Sequence, residues 1–113
     1  MPIAKPANLQ EIITYSRSHP TQLVVLDCKA SWCGPCKVLH PKLVELANAL
    51  PNVKFMELDV EDPDHEDTVS TFKITAMPTI LYLAGGNQVM ERTVGANLAD
   101  IKSKVGGYLG VAL

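Results

Sequence analysis

The run "QLVVLDC", Gln22 to Cys28, constrains this chain more than any other stretch. It is apolar almost without a break, so no alternation gives it a wet face. Such a run suits a strand covered on both faces, in a mostly parallel sheet with helices above and below. Covering helices are legible nearby. Asn8 and Glu11 are spaced as a capping box, with Leu9, Ile12 and Ile13 at helical intervals behind them. This predicts a helix from about Asn8 to Ser18, ended by His19-Pro20. Downstream, Val38, Leu39, Leu43, Leu46, Ala47 and Leu50 form a second helical stripe that stops before Pro51-Asn52.

"VKFMELDV", Val53 to Val60, reads as another strand. Asp62-Pro63 opens a short helix to about Phe72, with proline suited to a first turn. "TILYLA" and "QVMERTV" flank Gly85-Gly86-Asn87 as an antiparallel hairpin, Thr79 to Val94. Asn97 caps a last helix carrying Leu98, Ile101, Val105, Tyr108 and Leu109, whose final turns Gly106 and Gly107 weaken. Strands and helices alternate, then a hairpin and a closing helix follow. That order predicts an α/β fold, a mixed sheet with helices on both faces. A length of 113 residues suits one domain, 1–113, around one core.

A formal net charge of −2 supplies no global field to recruit nucleic acid or a membrane surface. No apolar stretch approaches a membrane span, and "MPIAKPANLQ" lacks the apolar core of a secretory signal. The cysteines are three: Cys28, Cys33 and Cys36. An odd, low count argues against a secreted disulfide scaffold and for a reducing cytoplasm, where a paired CxxC is catalytic or metal-binding rather than a structural staple.

Cys33 and Cys36 follow the apolar run within "ASWCGPCKVLHP". If Cys33 sits at a helix N-cap and Cys36 in the first turn, Pro35 is harmless there, since its missing N–H would be unsatisfied anyway. Free N–H groups and the helix dipole then favour a Cys33 thiolate. Residues three apart on a helix are neighbours, so Cys36 can close on Cys33 as a disulfide. Gly34 adds no side chain to block an approaching partner. By position, Cys33 at the exposed end attacks a client disulfide, and Cys36, deeper in the turn, resolves the mixed disulfide. Asp27, an acid ending an apolar strand, reads equally as a loop cap or as a buried proton acceptor with a raised pKa.

"WCGPCK" resembles the active-site signature of the thioredoxin family, and the likeness covers nearly the whole chain. "VVLDCKASWCGPC" is similar to that family's central strand and active-site turn, and "FMELDVED" to its next strand. "AMPTILYL" is similar to its cis-proline strand, and "TVGAN" to the turn before its last helix. The resemblance implies the thioredoxin fold, a central mixed five-stranded sheet flanked by about four helices. It implies reduction of protein disulfides through a reversible Cys33–Cys36 disulfide, with no bound cofactor and with electrons drawn from NADPH by a thioredoxin reductase. The implied partners are that reductase and disulfide-containing client proteins, met by a cytoplasmic monomer.

The resemblance also assigns roles. Asp27 becomes the proton acceptor for the Cys36 thiol. Trp32, with Gly34 and Pro35, shapes the contact surface beside the nucleophile. Met77-Pro78 is expected to be cis and to face the dithiol, although only roughly 5–6% of X-Pro bonds are cis in general. The Met77 backbone then pairs with an extended client as a strand edge does, and Gly95 leaves room for the client near Pro78.

Other readings carry less. Cys28, Cys33 and Cys36 have a ferredoxin-like spacing but lack the fourth cysteine. Cys28 reads instead as a small buried hydrophobe, where the family usually has an aromatic or aliphatic residue. His40, four residues past Cys36, completes only three of four zinc ligands. His19 and His65 read as surface residues. Pro41 is expected to kink its helix. Seven of the twelve acids fall in residues 57–67, read as a solvated strand end and helix start. Glu57 stands where some family members carry lysine, and near Asp27 it would raise that acid's pKa further. Lys29 and Lys37 flank the dithiol and read either as solubilising charges or as support for the thiolate and for acidic clients. Besides a reductase, a binding module on the same fold and a disulfide isomerase or oxidase remain to be weighed.

Overall fold

Residues 2–113 are described in the computed structural model, and the apolar run forms the middle of their sheet. β2 (Val24–Lys29) lies between β3 (Lys54–Asp59), which runs parallel to it, and β4 (Thr79–Ala84), which runs antiparallel. β1 (Ile3–Ala4) pairs parallel outside β3. Beyond β4 lie two short segments, β5 (Asn87–Gln88) and β6 (Thr93–Val94).

Side chains alternate across strands, and this alternation splits the core in two. Leu23, Val25 and Phe55 point to the side of α2 (Gly34–Ala49) and α4 (Leu98–Leu109), where Leu39, Leu43, Ile101 and Val105 meet them. Val24, Leu26, Cys28, Met56 and Leu58 point the other way. They meet Ile12 of α1 (Leu9–Ser18) and Phe72 and Ile74, just past α3 (Glu66–Thr71). A strand buried on both faces is what "QLVVLDC" demanded. By the same parity Asp27, Lys29 and Glu57 face α2, and this places the site.

The helix ends follow their sequence signals. Asn8 caps α1 by accepting from the Glu11 N–H at 3.0 Å, while Glu11 reaches back to the Ala7 N–H at 2.8 Å. Loss of such a cap costs about 1 kcal/mol. Asn97 caps α4 the same way, accepting from the Asp100 N–H. Gly106 has a tertiary reason for being glycine: a Cβ there would sit 2.6 Å from the Val111 carbonyl oxygen, where the tail folds back.

Several expectations change. β1 was not foreseen, because two residues carry no readable period. The predicted strand Gln88–Val94 is interrupted: five residue steps from Gln88 to Thr93 oppose three on β4, from Leu83 to Ile80. The two extra residues bulge out between β5 and β6. Pro63–His65 forms a 3₁₀ turn, capped by Asp62, before α3 begins. α2, by contrast, carries Pro41 within it and ends at Ala49, as expected from its stripe. Val38 is 63% exposed and lies off the apolar stripe. His65 is buried rather than on the surface, with Nδ1 2.9 Å from the Thr68 hydroxyl and Nε2 2.8 Å from the Pro6 carbonyl. His19 is exposed and stacks on Tyr15.

Candidate active site

β2 ends at Lys29, and the chain turns through Ala30–Trp32 into α2. Cys33 is the N-cap of that helix, with extended backbone, and its Sγ accepts from the Cys36 N–H at 3.2 Å. Gly34 and Pro35 fill the first helical positions, so the N–H that proline lacks leaves no gap. The two cysteines are joined as a disulfide, with Cα atoms 5.3 Å apart. Both are covered, at 3% and 2% exposure, packed with Ala30 and flanked by Val60 and Met77. The expectation of an exposed Cys33 therefore changes for the disulfide state. What is exposed is its rim: Trp32, Gly34 and Pro35.

β4 brings up the second wall. The Met77–Pro78 bond is cis, with Pro78 buried and Met77 half-buried against the disulfide. The Gly95 N–H donates to the Pro78 carbonyl at 2.8 Å. Gly95 has φ +95° and open space where a Cβ would be. Its backbone conformation, not crowding, selects glycine there.

On the sheet face turned toward α2 lie two acids. Asp27 and Glu57 are register partners on β2 and β3, 2% and 5% exposed. Burial pushes the Asp27 carboxyl up to about 7; the Lys29 charge pulls it down in part and the Glu57 charge pushes it up. Neither Asp27 oxygen has a hydrogen-bond partner. Glu57 is surrounded instead. Lys29 Nζ lies 2.7 Å and His40 Nδ1 3.3 Å from its Oε2, and Lys5 Nζ lies 3.7 Å from its Oε1. The two approaches to Oε2 are close in distance but off the angle of a hydrogen bond, so they are electrostatic contacts. A cavity of about 470 Å³ opens beside Cys36, lined by Lys29, Ala30, Ser31, Lys37, His40 and Asp59.

The thioredoxin family model matches residues 3–106. The chain belongs to the thioredoxin family. A thioredoxin of Geodia cydonium is 42% identical over 84 residues, 74% of this chain and 77% of that protein. An H-type thioredoxin of Picea mariana is 35% identical over 94% of this chain and 78% of its own length. The X-ray structure of Fasciola hepatica thioredoxin superposes with a TM-score of 0.87 at 28% identity, covering 94% of this chain and 99% of that one. The mixed sheet with four helices is the thioredoxin fold, and thiol–disulfide oxidoreduction is the activity of this chain.

Within this thioredoxin, the structure gathers Trp32, Cys33, Gly34, Pro35 and Cys36 at the start of α2, with Met77 against the disulfide and Gly95 bound to Pro78. Cys28 lies on the opposite sheet face, and burial pushes its thiol far up, so it stays protonated. Among the described residues no group of three or more His, Cys, Asp or Glu side chains is placed to hold a metal ion. His40 turns toward Glu57. Lys29 leans to Glu57 as well, whereas Lys37 lines the cavity. Of the seven acids in residues 57–67 Glu57 alone is buried; Asp59 and Asp62 accept from nearby backbone N–H groups. Sequence reading missed the three bases around Glu57. They come from separate elements, and only the i, i+4 spacing of Cys36 and His40 was visible.

Proposed function

We propose that this thioredoxin reduces disulfides in client proteins, with Cys33 as nucleophile and Cys36 as resolving thiol, and that a thioredoxin reductase drawing on NADPH restores the dithiol. One observation carries the assignment: Cys33 Sγ sits at the N-cap and accepts the Cys36 N–H. A helix N-terminus stabilises negative charge, so of the two sulfurs Cys33 is the one held as thiolate after reduction.

The Cys33 thiolate attacks one client sulfur, and the other client sulfur leaves. The Cys36 thiol then gives its proton to Asp27. The Cys36 thiolate attacks Cys33 Sγ, the Cys33–client bond breaks with its electron pair on the client sulfur, and the Cys33–Cys36 disulfide forms. A carboxyl titrating at about 7 suits this acceptor role at neutral pH. Trp32, Gly34 and Pro35 form the exposed contact rim, and the Met77 backbone beside cis-Pro78 pairs with the extended client, with Gly95 leaving it room. Residues 1–113 act as one domain, a monomeric electron carrier in the cytoplasm. No helix among the described residues is long and apolar enough to cross a membrane.

Reduction of a disulfide-linked protein substrate, with dithiothreitol as electron source, tests the roles. Wild type is expected to turn over, Cys33→Ser to be inactive, and Cys36→Ser to accumulate a covalent mixed disulfide. An active Cys33→Ser variant overturns the assignment. Client binding that survives in Cys33→Ser but is lost on altering the rim would favour a binding module instead.

A further inference from the structure

β6 is only two residues long and follows a bulge, so few ladder bonds hold it to β4. Yet the chain runs straight from Val94 of β6 into Gly95, whose N–H donates to the Pro78 carbonyl. What fixes this segment is a line of side chains between the sheet and α4. Tyr82 of β4 is fully buried, with its hydroxyl 2.7 Å from that of Thr93, itself 3% exposed. The Thr93 hydroxyl donates to Asp100 Oδ2, and Lys104 Nζ donates to the same oxygen at 2.8 Å. Lys104 also donates to the Arg92 carbonyl at 3.5 Å, one residue before β6.

The direction of the line follows from its charged end. Hydrogen bonds from Lys104 and Thr93 hold the Asp100 carboxyl below its usual range, so at neutral pH it is a carboxylate and can only accept. Thr93 therefore gives its one hydroxyl hydrogen to Asp100. Its oxygen is left to accept, and Tyr82 is the donor. Burial pushes the Tyr82 hydroxyl up to about 12, so it keeps the proton it donates. Each bond polarises the next, and one end of the line is ionic. Thr93 and Asp100 lie seven residues apart, so their bond ties together the two ends of the turn at Gly95. Inside that tie, the Asn97 N–H donates to the Gly95 carbonyl at 2.9 Å, and the Asn97 side chain caps α4.

This bears on client pairing at the Met77–Pro78 edge, the reading on which the proposal rests. We propose that Tyr82, Thr93, Asp100 and Lys104 are positioning residues for the client: they hold the Gly95 turn against Pro78, so that the strand edge at Met77 stays open and preformed. All four lie outside the cluster around the disulfide. A client then meets an ordered edge instead of having to order it on binding. Without the Thr93 hydroxyl, Tyr82 and Asp100 lose their common partner. β6 then keeps only its two paired positions, Thr93 with Ile80 and Val94 with Thr79.

The test compares two disulfides. Bis(hydroxyethyl) disulfide reaches the dithiol without lying along the strand edge, whereas a linear peptide dimerised through a central cysteine must lie along it. The full chain, reduced with dithiothreitol and desalted, is mixed with each, and the rate of Cys33 attack is read by rapid quench. Thr93→Val, Thr93→Ser and Asp100→Ala are compared with wild type, and exchange of the Gly95 N–H is followed by NMR. Thr93→Val and Asp100→Ala are expected to attack the peptide on the order of tenfold more slowly than wild type. They should attack the small disulfide at the wild-type rate and exchange the Gly95 N–H faster. Thr93→Ser, which keeps the hydroxyl, should match wild type in all three. The Asp100 side chain is 36% exposed, so Asp100→Ala is expected to fold even if Thr93→Val, in the core, melts early. A wild-type peptide rate in Asp100→Ala overturns the proposal. Equal slowing with both disulfides also overturns it, since that marks a general loss of packing. If wild type itself attacks the peptide no faster than the small disulfide, the strand-edge reading above fails and this role with it. Unchanged Gly95 exchange beside a fast wild-type peptide reaction strikes this role alone.

Discussion

Asp27 and Glu57 are the same kind of group in nearly the same place, yet the fold treats them in opposite ways. They are register partners on adjacent strands, on one face of the sheet, and both buried. Glu57 has Lys29, His40 and Lys5 around it. Asp27 has no hydrogen-bond partner, and burial dominates its chemistry. One carboxylate is held in place by charge; the other is buried without a partner and its pKa is raised, which suits it to the proton-accepting role proposed for it. The identity of an acid therefore says little about its role until its neighbours are known.

The strongest way to break this comparison is Asp27→Asn. Client release is expected to slow by about 10²-fold or more at pH 7, while the first attack by Cys33 is unchanged. Stability is expected to move the other way. Folding raises the Asp27 pKa from 3.8 to about 7, so between those values the native state binds more protons than the unfolded chain. The group is therefore harmless below pH 4, and stability falls as pH rises through about 7. Above that, the buried charge costs on the order of 4 kcal/mol. Urea unfolding at pH 4 and pH 8 measures it: the variant gains stability at pH 8 only.

The matching change at the neighbour, Glu57→Gln, is expected to have the opposite sign. It strips Lys29 and Lys5 of their partner, costing on the order of 1 kcal/mol because both lysines reach solvent. It also removes a charge that pushes Asp27 up, so Asp27 should titrate below about 7. A gain in stability from Glu57→Gln would erase the distinction between the two acids. Lys29→Gln is expected to be the mildest change. Losing that charge moves the Asp27 titration above about 7, readable by carboxyl-carbon NMR, and by linkage lowers stability at pH 8 but not through Asp27 at pH 4.

The sequence carried the frame of this site further than its interior. The apolar run of β2, the α2 stripe and the N-cap position of Cys33 follow from local patterns, and patterns survive folding. The cis Met77–Pro78 bond was legible only through family likeness, since a proline opening a strand is usually trans. What escaped reading depends on distant parts of the chain. β1 exists because β3 offers it an edge. His65 is buried because the Pro6 carbonyl, 59 positions away, accepts from or abuts its ring. The bulge between β5 and β6 breaks no rule of composition. The bases around Glu57 come from the chain after β1, from β2 and from α2, so no window of sequence contains them. Val38 shows the reverse error, an apolar residue counted into a stripe from which the helix turns it away.

The most direct test of the account is the pH dependence of client release in single turnover, wild type against Asp27→Asn. An acceptor must be deprotonated to act, so wild-type release should rise with pH along a titration centred at about 7. In Asp27→Asn that rise should vanish and the slow rate should be flat across the same range. If both proteins show the same rise, the buried carboxylate does not take the Cys36 proton, and the contrast between Asp27 and Glu57 has no part in the chemistry.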